Sequence, residues 1–84
     1  MRRNIYDIYA EILEYLSRIG ESRVTRIARY ANLPLDRANR ILNQMVELRL
    51  LRMKTSRGRR SYGITQKGYE YLEYYRRLKR LLKY

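Results

Sequence analysis

The chain has 84 residues, carries 20 Lys+Arg against 8 Asp+Glu for a formal net charge of +12, and contains neither Cys nor His. That length makes one domain with no second core, and the missing Cys and His exclude a disulfide framework, a thiolate metal site, a Cys nucleophile and the commonest general base. The longest apolar run, Ile8-Tyr9-Ala10, is far short of the roughly 20 residues of a membrane span and the about 7–15 of a secretory signal, so the expectation is a soluble intracellular protein that is not an enzyme and holds no cofactor or metal.

Residues 5–19 read as a helix, because Ile5, Ile8, Tyr9, Ile12, Leu13, Leu16 and Ile19 recur at three- and four-residue steps. Asn4 and Asp7 can form a capping box at its start, and Gly20 suits its C-terminal end. Glu14 and Arg18 are spaced as a favourable i,i+4 pair. Residues 23–31 read as a second helix with Ser22 as N-cap. Val24, Ile27, Ala28 and Ala31 form its apolar face, and Arg23, Arg26 and Arg29 lie off it. Asn32-Leu33-Pro34 is a break, since Pro34 disfavours helical geometry at Leu33.

Residues 35–49 read as a third helix. Ala38, Ile41, Leu42, Met45, Val46 and Leu48 line one side. At about 100° per residue the opposite side carries Asp36, Arg40, Asn43, Gln44 and Glu47, with Arg37 and Asn39 on its flanks. From Leu51 the period shifts towards two. Leu51, Met53 and Thr55 alternate with Arg52 and Lys54, and Tyr62 and Ile64 resume the alternation after Ser56-Arg57-Gly58-Arg59-Arg60. Residues 51–64 are therefore a hairpin around a Gly-containing loop. Thr65 caps a long last helix, 66–84. Gly68 costs helix stability there, which implies close approach of a neighbouring element.

Charge is uneven along this order. Residues 1–21 hold three Arg against four acids; residues 22–60 hold ten Arg and one Lys against Asp36 and Glu47; residues 61–84 hold six basic residues against Glu70 and Glu73. The three nets are −1, +9 and +4, which add to the +12 of the whole chain. A folded domain with such an excess points to a polyanionic partner, nucleic acid before an anionic membrane surface. Sixteen of the twenty basic residues are Arg, the side chain suited to bidentate phosphate and guanine contacts.

Two helices joined by a tight break, the second exposing Arg, Asn and Gln, describe a helix-turn-helix. The basic hairpin that follows is a wing. The fold class is thus mainly α with a small β-hairpin: one winged helix-turn-helix domain, 1–84, with a long C-terminal dimerisation helix. Ala31-Asn32-Leu33-Pro34 looks like the turn of winged helix-turn-helix proteins, and Ile64-Thr65-Gln66-Lys67-Gly68-Tyr69-Glu70-Tyr71-Leu72 resembles the start of the last helix in archaeal winged-helix regulators. Over nearly its whole length the chain is similar to the ten-kilodalton archaeal chromatin-associated winged-helix family. That resemblance implies a dimer, paired through antiparallel C-terminal helices, that binds double-stranded DNA.

The candidate DNA-binding residues are Arg37, Arg40, Asn43 and Gln44 on the reading helix, Lys54, Arg57, Arg59 and Arg60 on the wing, and Arg23 and Arg26 on the second helix. Arg40 competes with an Asp36 ion pair four residues away, and Tyr62 is a further candidate for contact with DNA. The remaining tyrosines fit helical spacing and a structural role. Tyr71, Tyr75, Leu78 and Leu82 follow steps of four, three and four, the spacing of a coiled-coil seam, and Tyr74 and Leu81 widen it into a homodimer interface. The reading is therefore a cytoplasmic, nucleoid-associated DNA-binding protein, either a transcription regulator or a chromatin protein. A protein-interaction subunit of a transcription or processing complex and an RNA binder are the alternatives. No membrane and no small-molecule substrate is expected as a partner.

Overall fold

Asn4 and Asp7 start the first helix as a reciprocal capping box: the Asn4 side chain accepts from the Asp7 amide, and the Asp7 carboxylate accepts from the Asn4 amide. The computed structural model describes residues 3–83. Within them the order is α1 (Ile5–Ile19), β1 (Glu21–Arg23), α2 (Val24–Ala31), α3 (Leu35–Glu47), β2 (Leu51–Ser56), β3 (Arg59–Ile64) and α4 (Gln66–Leu81). This is a mainly helical winged helix-turn-helix architecture. Its three-stranded antiparallel sheet has the order β1-β3-β2.

β1 is absent from the sequence expectation. Glu21, Ser22 and Arg23 pair with Gly63, Tyr62 and Ser61, so β3 is the central strand rather than one arm of a free hairpin. Ser22 therefore does not cap α2. Its hydroxyl donates to the Arg23 carbonyl, and the N-cap position is Arg23, with no side-chain cap.

Both turns around α3 end a helix in the same way. Asn32 sits in the left-handed region at φ 56°, with Leu33 N–H bonded to Ala28 C=O and Asn32 N–H to Arg29 C=O. Arg49 does the same at φ 64°, with Leu50 N–H bonded to Met45 C=O and Arg49 N–H to Val46 C=O. Each is a Schellman closure whose next residue, Leu33 or Leu50, is buried. The second closure ends α3 at Glu47, two residues before the expected limit, and leaves Leu48 exposed rather than on the core side. Ile19, at the end of α1, is also exposed.

The core gathers Ile8, Ile12, Leu13 and Leu16 of α1 with Ile27, Leu42, Met45, Leu51 and Tyr62. Each such side chain contributes about 1.5–3 kcal/mol on burial. Tyr62, expected as a possible DNA contact, is only 1% exposed. As part of the central strand its ring faces the helices, so it cannot touch a duplex. α4 starts on Thr65, whose hydroxyl accepts from the Gly68 amide, and packs on the body through Gly68 and Leu72. The helix ends at Leu81 with Leu82 as C-cap, and the last expected helical position, Tyr84, lies outside the described residues. Among the described residues no helix is long and apolar enough to cross a membrane.

Candidate nucleic-acid interface

α3 turns Ala38, Ile41, Leu42 and Met45 into the core and leaves Asp36, Arg37, Arg40, Asn43, Gln44 and Glu47 exposed. The Asp36–Arg40 ion pair that the spacing allows does not form, and among the described residues neither side chain has an ion-pair partner. Gln44 lies on the flank that meets α1, where its Oε1 accepts a 3.2 Å hydrogen bond from the Tyr9 hydroxyl. Asn39, on the other flank, is half-buried and lines a cleft with Arg23, Thr25, Arg59 and Arg60. The elements beside that flank of α3 are thus the start of α2 and the wing.

The wing is a two-residue hairpin, closed by the pair Ser56 and Arg59. Arg57 and Gly58 occupy its turn at φ 53° and 74°, both positive as a type I′ turn requires. Beyond Leu51 every residue of β2 is exposed, so Met53 and Thr55 do not bury as their alternation with Arg52 and Lys54 suggested. The base of the hairpin, Leu51 and Tyr62 to Ile64, is buried against the helices, whereas everything from Arg52 to Arg60 is exposed. Lys54, Arg57, Arg59 and Arg60 are all exposed on it. Pairing of Arg23 with Ser61 brings the start of α2, with Arg26 one turn in, beside the wing, and a second cleft there is lined by Ile19, Glu21, Ser22, Arg23, Thr25, Arg26 and Ser61. Among the described residues the N-cap of α2 makes no side-chain bond, so the first amides of the helix offer donors to an anion.

Four of the eight carboxylates are taken by other cations. Arg3 pairs with Glu11, Arg52 with Glu21, Arg76 with Glu14, and Arg77 with Glu73. Among the described residues Arg23, Arg26, Arg29, Arg37, Arg40, Lys54, Arg57, Arg59 and Arg60 have no ion-pair partner, and all are exposed. Glu14 takes Arg76 of α4 instead of Arg18, whose guanidinium bonds the Tyr30 hydroxyl and lies 5.7 Å from that ring's centroid. Arg52 is held on the body: it donates to the Ile64 carbonyl at 2.6 Å and crosses Gly63, where a Cβ would lie 2.9 Å from its Cζ.

A second surface lies between α1 and α4. Tyr71 donates to the Tyr6 carbonyl and Tyr75 to the Asp7 carboxylate. Burial pushes the Tyr71 hydroxyl up to about 12, and burial with the Asp7 bond does the same for Tyr75. The Tyr75 hydroxyl and the Asn4 amide hold Asp7 below its ordinary range. Tyr71 and Tyr75, expected in a dimer seam, are thus partly occupied by their own α1. Tyr74, Leu78, Leu81 and Leu82 stay exposed at 63%, 53%, 81% and 64%. A groove lined by Tyr6, Tyr71, Tyr74, Tyr75, Leu78 and Leu82 runs between the helices. Tyr6 was not among the expected interface residues, because its helical phase puts it off the core face of α1.

Sso10a-2, a DNA-binding protein from Sulfolobus solfataricus, has a similar solved structure, with TM-score 0.81 and 25% identity over 95% of this chain and 81% of that one. A MarR family transcriptional regulator from Silicibacter pomeroyi matches at TM-score 0.78 and 24% identity, over 89% of this chain and 52% of its own. MepR, a transcription regulator of the Staphylococcus aureus multidrug efflux pump MepA, matches at TM-score 0.73 and 17% identity, over 86% of this chain and 56% of its own. The chain therefore spans about half the length of these two regulators, and likeness to them shows the fold alone. No curated protein matches the chain. The winged helix-turn-helix family pattern matches residues 2–83, taking in the turn at Asn32, the wing and the last helix together, and the chain belongs to that family.

Proposed function

We propose that this protein binds double-stranded DNA, as a transcription regulator or chromatin-associated protein of the cytoplasm. The observation that carries this reading is the set of nine exposed cations without ion-pair partners on α2, α3 and the wing. By contrast Arg3, Arg52 and Arg76 serve the fold through a carboxylate or a carbonyl. Sso10a-2, described as DNA-binding, supports the same reading.

In this reading Arg37, Arg40 and Asn43 meet base edges in the major groove. Gln44 joins them only by giving up its bond to Tyr9. Arg23, Arg26 and the first amides of α2 meet phosphates on one side, and Lys54, Arg57, Arg59 and Arg60 meet phosphates or the minor groove on the other. A homodimer through Tyr74, Leu78, Leu81 and Leu82, with Tyr71 and Tyr75 at the edge of the contact, presents two such surfaces to one duplex.

A salt titration of duplex binding tests it. If a dimer neutralises about eight phosphates, log K falls with log salt at a slope near −7. A slope flatter than about −2, or tighter binding to structured RNA than to duplex DNA at equal salt, overturns the reading.

A further inference from the structure

The reading helix itself adds nothing to the positive charge. α3 sets Arg37 and Arg40 against Asp36 and Glu47, two charges of each sign. Its solvent-facing line runs Asp36, Arg40, Asn43, Glu47 at steps of four, three and four, all exposed, so a carboxylate stands at each end of the stripe that the DNA-binding reading turns towards the duplex. Among the described residues neither carboxylate has an ion-pair partner. Asp36 lies in the first turn of α3, where the helix dipole favours it. Glu47 is the last residue of the helix, where the same dipole opposes a negative charge. The dipole thus disfavours the Glu47 charge, and the proposed partner is a polyanion that repels both acids.

We infer that Asp36 and Glu47 are specificity-determining residues which reject duplexes lacking an amino group beneath them; the inference rests on the DNA-binding reading above. An ionised carboxylate only accepts hydrogen bonds. In the major groove the donors are the N4 amino group of cytosine and the N6 amino group of adenine, while guanine and thymine present O6 or O4 acceptors at the corresponding place. A carboxylate held over one strand therefore admits A or C there and is repelled by G or T. Phosphates are rejected on the same ground, so a helix lying off register loses binding. Affinity then comes from the cations of α2 and the wing, and selectivity from a neutral helix whose acids penalise wrong sequences. Arg40 and Asn43, between the two acids, supply the favourable contacts.

The test compares Asp36→Asn/Glu47→Gln with the parent on a random-sequence duplex and in a random-library selection. Glu70→Gln/Glu73→Gln, on α4, makes the same charge change away from α3 and serves as control. The parent selection is expected to enrich A or C over G or T on one strand at one or more positions. The α3 double variant is expected to bind random duplex about tenfold more tightly, the scale of one base contact, and to lose that enrichment. All four residues are exposed, and a circular dichroism melt confirms that each variant folds. A parent with no amino-base enrichment, an α3 variant that behaves like the control, or tighter binding with unchanged base preference overturns the inference. Failure of the DNA-binding reading looks different, because the parent then shows no salt-dependent duplex binding at all.

Discussion

A Cβ on Gly68 would lie 2.5 Å from the carbonyl oxygen of Leu50. That carbonyl is where α4 docks: it accepts from the Thr65 amide at 3.2 Å and from the Thr65 hydroxyl at 3.0 Å. The missing side chain lets the first turn of α4 sit directly on the closure that ends α3, with Ile64 and Leu13 on either side. α3 and α4 are thereby held in one fixed relation.

Gly68→Ala accordingly sets two effects against each other. Helix propensity favours Ala by about 1 kcal/mol. The added methyl must displace a backbone oxygen and two packed side chains, and such overpacking costs about 1–3 kcal/mol. Backbone yields less readily than a side-chain tip, so the variant is expected to melt below the parent. A raised melting temperature would mean that α4 can shift without loss.

The Tyr75–Asp7 bond predicts a pH signature at both ends of the scale. Asp7 is held below its ordinary 3.8, so its contribution is present above that value and is lost as pH falls through the lower folded-state value. Tyr75 is pushed from 10.0 up to about 12, so its contribution is full below 10 and is lost as pH rises towards 12. The stability gap between the parent and Tyr75→Phe in urea melts should be widest at neutral pH and narrow in both directions. A gap independent of pH would show that the hydroxyl matters only through packing.

Removing charge from the wing should weaken every duplex alike. Arg57→Asn/Arg59→Gln/Arg60→Gln keeps the turn, because Asn-Gly is favoured where both residues have positive φ. Each lost phosphate contact should lower the magnitude of the salt slope by about one. A triple variant with the parent's affinity would take the wing out of the DNA surface.

The exposed end of α4 should pair two copies. Tyr74, Leu78, Leu81 and Leu82 are each more than half exposed, and each is worth about 1.5–3 kcal/mol when buried. Sedimentation equilibrium at micromolar concentration is expected to give the dimer mass for the parent and the monomer mass for Leu78→Glu/Leu82→Glu. Both positions lie beyond the part of α4 that packs on the body, so the variant keeps its fold. A parent that sediments as a clean monomer removes the dimer.

Periodicity, caps and punctuation were enough to read α1, the turn at Asn32, α3, the wing and α4 from the residues alone, because each of those signals lies within one element or at its ends. The face of α1 that becomes core follows from a 3.6-residue repeat, and the wing follows from alternation on both sides of a glycine. What the repeat cannot encode is which neighbour a face meets. The three polar residues of β1 become a strand only because β3, some forty positions later, offers them an edge. That pairing makes β3 central and turns Tyr62 into the core, although its alternation fits an outward ring equally well. Gln44 and Tyr75 illustrate the same limit. Each has a polar group and a helical phase compatible with solvent or a partner, and each is engaged by α1, through Tyr9 and Asp7. The unpaired state of the cations on α2, α3 and the wing is also a tertiary fact. Sequence counts the charges, but only the packing of α1 against α4, and of Arg52 across Gly63, determines which carboxylates remain available to neutralise them.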